Sequence, residues 1–229
     1  MDLTHFDTLT FDCYGTLIDW ENGILAALRP VLAAHGVESV TDEQLLAAHA
    51  QHETTLEAGP YRPYREVLKG VLDGIGSTFG FSPAEAERAA FADSVGAWPP
   101  FPDTVDALKR LKTRFRLIVL SNIDDDLFAR TAERLVVPFD GVITAQQVGS
   151  YKPAHAHFLR AEAQFSLDRS RWLHVAQSRY HDIAPANALG IVSCWVDRRH
   201  RATLAREEAR PDLTVPNLAA LAEAAERAA

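Results

Sequence analysis

Four short stretches of this chain place side chains with usable chemistry directly after apolar runs. Asp12 closes the run Asp7–Asp12 (DTLTFD) and is followed by Gly15 and the Thr16 hydroxyl. A carboxylate at such a strand end is partly desolvated and faces a turn rich in backbone N–H groups. It can act as a nucleophile if nearby cations keep it ionised. Ser121 and Asn122 follow Leu117–Leu120 and can hydrogen-bond an oxyanion or steady the nucleophile. Lys152, just before Pro153, can supply the positive charge that Asp12 needs. Asp182, with Gln177 and Ser178 ahead of it, can pair with Lys152 or orient a water. Singly, each has an ordinary reading as a helix cap, a loop residue or a solvated lysine. Residues of this kind after four different strands of one sheet are far harder to explain that way.

The elements that must position them follow two rhythms. Residues 7–12 read as a buried strand ending in a tight loop. From Trp20 to about Val95 the stretches Gly23–His35, Glu43–Leu56, Tyr64–Thr78 and Pro83–Ser94 carry apolar residues at helical spacing, with no strand pattern. The linker Trp98-Pro99-Pro100-Phe101-Pro102 breaks both helix and central strand. Beyond it, helices over Asp103–Lys112, Asp125–Arg134, Pro153–Gln164, Asp182–Leu189 and Asn217–Arg227 alternate with strands over Leu117–Leu120, Gly141–Thr144, Trp172–Val175 and Ile191–Val196. Asp103 stands near the cap of the first of these helices. Alternation of this kind predicts an α/β, doubly wound, Rossmann-like parallel sheet, and the first strand belongs to it because alone its edges would be unpaired. The expected organisation is a core of residues 1–17 and 97–229 with an all-helical cap domain, residues 18–96, inserted. Ligands of open α/β sheets bind beyond the carboxyl ends of the strands, where the residues named above fall.

Bulk properties narrow the function classes. The net charge of -8 argues against a general affinity for nucleic acid. The basic cluster Arg198, Arg199, His200, Arg201 is short and reads as a solvated loop after a strand. No apolar run approaches the roughly 20 residues that span a bilayer, and the acidic N-terminus is unlike a secretory signal, so neither membrane partner nor export is expected. Cys13 and Cys194 are too few for a disulfide framework, and a cytoplasmic location is the expectation.

Phe11-Asp12-Cys13-Tyr14-Gly15-Thr16-Leu17, Leu120-Ser121-Asn122, Tyr151-Lys152-Pro153 and Gln177-Ser178 through Asp182-Ile183 resemble, in order and approximate spacing, the four motifs of the haloacid dehalogenase superfamily. The wording DCYGTL and SYKP looks most like the type II L-2-haloacid dehalogenases. The resemblance implies a helical cap inserted after the first motif and covalent aspartate chemistry. Asp12 would displace halide from C2 of a short 2-haloalkanoate with inversion, and water would then hydrolyse the ester. Lys152 and Asp182 would hold nucleophile and water. Thr16, Ser121 and Asn122 would line the oxyanion and carboxylate region, with Gln177 and Ser178 beside them, and Tyr14 and Trp20 would form apolar or halide-facing walls. The partner implied is a small carboxylic acid, and a homodimer is the family guess.

Tyr14 decides between reaction classes. Phosphatases of the superfamily carry a second Asp there as general acid, and acidic magnesium ligands in the last motif, where this chain has Gln177. A halide leaves without protonation, so the expectation is a dehalogenase with no metal and no other cofactor. The alternatives are a magnesium-dependent phosphatase with a degenerate first motif, and an inactive binding protein on the same fold. The chain also departs from the dehalogenase pattern. No arginine stands near Ala47-Ala48-His49-Ala50, where the family's halide-receiving cap arginine would be. His49, His52, Arg62 or Arg65 would have to substitute. His157 and Phe158 occupy the region of an expected tyrosine, and Gln177 and Arg179 replace the usual Ser and Asn.

Overall fold

The structure, a computed structural model, describes residues 1–198 and 209–227. Among the described residues there are six strands: β1 (Thr8–Phe11), β2 (Arg116–Ser121), β3 (Gly141–Thr144), β4 (Trp172–Ala176), β5 (Val192–Val196) and β6 (Leu213–Val215). They form one sheet in the order β3-β2-β1-β4-β5-β6, and every pairing is parallel. Helices cover both faces of such a sheet, so its inner strands read as nearly continuous apolar runs. β1 is buried along its whole length, with Phe11 level with Val119 on one side and Val175 on the other. Because β2 and β4 lie on opposite sides of β1, the chain changes winding direction there. The crevice beyond the carboxyl ends of these strands is the topological switch point.

Four helices, α1 (Trp20–Ala34), α2 (Asp42–Glu57), α3 (Tyr64–Phe79) and α4 (Glu85–Asp93), separate β1 from α5 (Thr104–Lys112). The starts of α1 and α2 are written locally. Asp19 accepts from the Asn22 N–H, and Thr41 with Gln44 forms a reciprocal capping box. α3 has Pro63 at its cap and no capping side chain of its own. Its acceptor comes from the sheet: the Asp124 carboxylate, just past β2, accepts from the Tyr64 and Arg65 N–H groups at 2.9 Å each. One buried carboxylate thus ties α3 to the crevice.

Among the described residues the remaining α-helices are α6 (Asp125–Leu135), a short α7 (Ala145–Val148), α8 (Ala156–Phe165), α9 (Ala184–Ala188) and α10 (Leu218–Arg227). Several local expectations need correction. β6 was not foreseen, being a three-residue edge strand too short for a periodic signal. The helix expected from Asp182 opens instead with a wide turn over Arg179–Ile183, with Asp182 buried inside it rather than exposed at a cap. Asp103 does stand at the cap position of α5, as expected, but its side chain works elsewhere: its Oδ2 accepts from the Leu218 and Ala219 N–H groups and so caps α10. Arg198 is no solvated loop residue. Its side chain is 7% exposed, pairs with Asp103 at 2.6 Å, donates to the Thr16 carbonyl and lies over the Phe101 ring. Arg199, His200 and Arg201 lie outside the described residues.

Candidate active site

Asp12 is the first residue beyond β1, and its N–H still pairs with the Val175 carbonyl at 3.1 Å. The chain then turns sharply at Gly15, whose φ of +95° lies in the left-handed region. A Cβ on Gly15 would meet Gln177 Oε1 and Trp20 Nε1, both at 3.1 Å, so glycine serves the turn and the close approach of both neighbours. The turn brings Thr16 back over the carboxylate: its hydroxyl donates to Asp12 Oδ2 at 2.7 Å and accepts from the Gln177 N–H at 2.9 Å. One hydroxyl therefore links the ends of β1 and β4.

Lys152 approaches from the segment after α7. The Asn122 amide grips its main chain twice, with Oδ1 accepting from the Lys152 N–H at 2.7 Å and Nδ2 donating to its carbonyl at 3.1 Å. So fixed, Nζ donates to Asp12 Oδ1 at 2.9 Å, to Asp182 Oδ1 at 2.7 Å and to the Leu120 carbonyl at 2.9 Å. All three protons of the ammonium are used, and the side chain is 1% exposed. Asp182 Oδ1 also accepts from His174 Nε2 at 3.1 Å, whereas Oδ2 is buried without a hydrogen-bond partner among the described residues.

Two buried carboxylates share one ammonium, and they are not equivalent. Burial raises the Asp12 carboxyl above the ordinary range, against the pull of Lys152 and the Thr16 hydrogen bond, and the charge of Asp182 adds to the rise. For Asp182 burial pushes the same way, but Lys152 and the hydrogen bond from His174 outweigh it and hold the group at about 2. The two acids raise Lys152 well above the ordinary lysine range against the effect of burial. Asp182 is the fixed counter-ion, and Asp12 is the more basic carboxylate of the pair.

A cavity of about 240 Å³ opens over Asp12. Its floor includes Asp12, Asn122, Lys152, Gln177, Ser178 and Asp182, and Tyr14 and Trp20 stand on its walls. The structure thus brings together most of the residues that the sequence singles out, with different duties for some. Tyr14 is anchored by its hydroxyl to Thr131 at 2.9 Å and by an edge contact with Trp98. Ser178 accepts the His181 N–H and holds the wide turn. Ser121 is fully buried, its Oγ has no hydrogen-bond partner among the described residues and it does not line the cavity, while its carbonyl meets His157 Nε2 at 3.2 Å. Arg62 does not reach the site. It is exposed and away from the cavity lining, and among the described residues its carbonyl is engaged by the Tyr151 hydroxyl. Arg65 pairs with Asp93 and Asp126 at the surface, and His52 bonds Thr78.

The wall facing Asp12 comes from α2 and α3, and most of it was missed. His49 does contribute: it is buried, and burial lowers its pKa, so it enters as a neutral ring. Glu53 accepts from the Tyr64 hydroxyl at 2.5 Å. Burial against the cavity and the neighbouring Glu53 push Glu57, half-buried by surface area, up to about 9. The signal available in the sequence was the spacing 49, 53 and 57, one face of a helix. As for a metal, the described residues contain no group of three His, Cys, Asp or Glu able to hold one. Lys152 lies between the two acids, and the neutral Gln177 stands where the phosphatase pattern would need an acidic ligand, so the donor set does not fit a divalent ion.

A family model for haloacid dehalogenase-like hydrolases matches residues 6–190. The chain belongs to the haloacid dehalogenase-like hydrolase family and is a hydrolase of that family. It is similar to an (S)-2-haloacid dehalogenase of Pseudomonas fluorescens, 26% identical over 91% of this chain and 92% of that one. A second (S)-2-haloacid dehalogenase, from Xanthobacter autotrophicus, is 27% identical over 87% of this chain and 78% of that one. Among solved structures, L-2-haloacid dehalogenase from Xanthobacter autotrophicus with chloropropionic acid covalently bound shares the fold. Its TM-score is 0.81 at 22% identity, covering 95% of this chain and 97% of that one. A HAD-hydrolase from Bacillus subtilis bound to magnesium shares it equally, with a TM-score of 0.82 at 17% identity over 96% and 99% of the two chains.

Proposed function

We propose that this protein hydrolyses the carbon–halogen bond of a short 2-haloalkanoic acid through an ester on Asp12, without a metal. The observation that carries this reading is the arrangement of Asp12 itself. It faces a cavity sized for a small molecule, its two oxygens are oriented by Thr16 and Lys152, and it is the more basic of two carboxylates around one ammonium. Such a group is suited to backside attack on an sp3 carbon, with the bond to halide breaking as the bond from the Asp12 oxygen forms. Tyr14, tied to Thr131, offers no carboxyl to protonate a leaving alkoxide, which a departing halide does not require.

In the second half of the reaction water attacks the Asp12 carbonyl carbon, the alcohol leaves with the original aspartate oxygen, and a proton is released to solvent. Asp182 Oδ2, the unpartnered buried oxygen of the pair, is the proton acceptor in this reading. The substrate's carboxylate meets a wall in which Glu57 is neutral near pH 7 and presents a donor rather than a charge. The helices over residues 18–96 act as the cap that encloses it. The test is halide release from each enantiomer of 2-chloropropionate in EDTA, wild type against Asp12→Asn. Release that vanishes in the variant supports the reading; no release by the wild type, or release that needs magnesium, sinks it.

A further inference from the structure

One buried imidazole under the site takes no part in the chemistry described so far. His174 lies in the middle of β4, fully buried and level with Thr10 on β1. Its Nε2 is 3.1 Å from Asp182 Oδ1 and its Nδ1 is 2.8 Å from Thr10 Oγ1. The Trp172 indole N–H approaches the same threonine oxygen at 2.6 Å. An indole N–H can only donate, so Thr10 accepts from Trp172 and has one proton of its own to give. That proton points to His174 Nδ1, which places the ring's proton on Nε2, facing the carboxylate. The tautomer is therefore written by the residues behind the ring.

Asp182 Oδ1 then receives two donors, Lys152 Nζ and His174 Nε2. A carboxylate held by one donor can pivot and exchange its oxygens, whereas two donors on one oxygen fix its plane and leave the other oxygen free. We propose that His174 is a positioning residue for the hydrolytic half-reaction, acting through Asp182 and set in its tautomer by Thr10 and Trp172. The proposal rests on the ester mechanism above. In that step the water oxygen bonds to Asp12 Cγ and passes a proton to Asp182 Oδ2. The Cγ–O bond to the alkyl group breaks, and the leaving alkoxide takes that proton back from Asp182. Asp12 is left as a carboxylic acid, which ionises to solvent. Alkylation of Asp12 uses Asp12 and Lys152 and makes no demand on His174.

The two half-reactions thus separate in the His174→Phe variant. One equivalent of halide is released per enzyme at close to the wild-type rate, steady turnover falls about 10- to 100-fold, the loss expected for one hydrogen bond to a charged group, and the ester on Asp12 accumulates as a mass increase on its peptide. His174→Gln, whose amide can still donate to Asp182, recovers part of the turnover. Equal loss of burst and turnover in both variants would mark a merely structural role and overturn the proposal, as would unchanged turnover. A second readout needs no substrate: nitrogen-15 NMR of the resting protein places the ring proton of His174 on Nε2. A proton found on Nδ1 overturns the assignment. Failure of the wild type to release halide at all would count against the dehalogenase reading, and the ring's tautomer would still decide for or against His174.

Discussion

Replacing Lys152 by Met removes the ammonium and leaves its stem, so two buried carboxylates face each other with no cation between them. At 2.9 Å and 2.7 Å each ion pair is worth about 6 kcal/mol of Coulomb attraction at an effective dielectric near 20. Desolvation offsets much of this, and removing one partner of a buried pair costs about 3–5 kcal/mol. The chain can limit that cost by taking up a proton, and at 1.36 kcal/mol per pKa unit the carboxyl pair rises by about 2–4 units. Asp12, already raised by burial, is the group that protonates. The acid limb of activity moves up by about 2 units or more, so at a pH below both limbs kcat/KM falls about 100-fold. Stability changes sign in its pH dependence. In the wild type Asp182, held at about 2, contributes stability that is present above its ordinary value and lost as pH falls through the folded value. In the variant the raised pair contributes stability that is present at low pH and lost as pH rises through the raised value. Halide release and thermal unfolding between pH 5 and pH 9 measure both effects. The Tm deficit should widen with pH, reaching about 10 °C at pH 8. An unmoved acid limb, or a Tm deficit that shrinks as pH rises, would refute the reasoning.

Other consequences follow from the same contacts. Asn122→Ala deletes both hydrogen bonds to the Lys152 main chain and costs about 1–3 kcal/mol in denaturant unfolding, with kcat falling; a loss under 0.5 kcal/mol would mean that Lys152 holds its place unaided. Asp124→Ala uncaps α3 and costs about 1–2 kcal/mol, and KM rises more than kcat falls because Tyr64 on the cavity wall loses its anchor; an unchanged KM contradicts this. Glu57→Gln removes a carboxyl whose folded pKa, about 9, lies above the ordinary 4.5. Its ionisation costs stability as pH rises between those values, so the variant's Tm gain should be small at pH 5 and largest near pH 9. A pH-independent gain would show Glu57 to be an ordinary solvated acid.

The residues at strand ends were legible because a few residues of backbone fix where they lie. Once β1 and β4 pair, Asp12 and the turn containing Asp182 cannot be far apart, and only their bonding remained to be seen. His174 was not legible: it is the single titratable side chain in the buried strand Trp172–Ala176, and its role appears only with Thr10 and Trp172 around it. The wall opposite Asp12 was obscured because α2 buries only Leu45, Ala48 and His49, too few apolar positions to say which face it presents. Asp103 and Arg198 each look like local loop or cap residues, yet they act together at a distance. Asp103 caps α10 from 115 residues away, and Arg198 clamps the Thr16 carbonyl from the end of β5. Sequence separation of that size carries no periodic signal.

The central claim, a covalent bond to Asp12, is tested most directly by a single turnover of 2-chloropropionate in oxygen-18 water with enzyme in excess. The account predicts that the hydroxyacid leaves with unlabelled oxygen taken from Asp12, and that the peptide containing Asp12 gains the label. Labelled product on the first turnover, with an unlabelled Asp12 peptide, would show direct attack by water and contradict it.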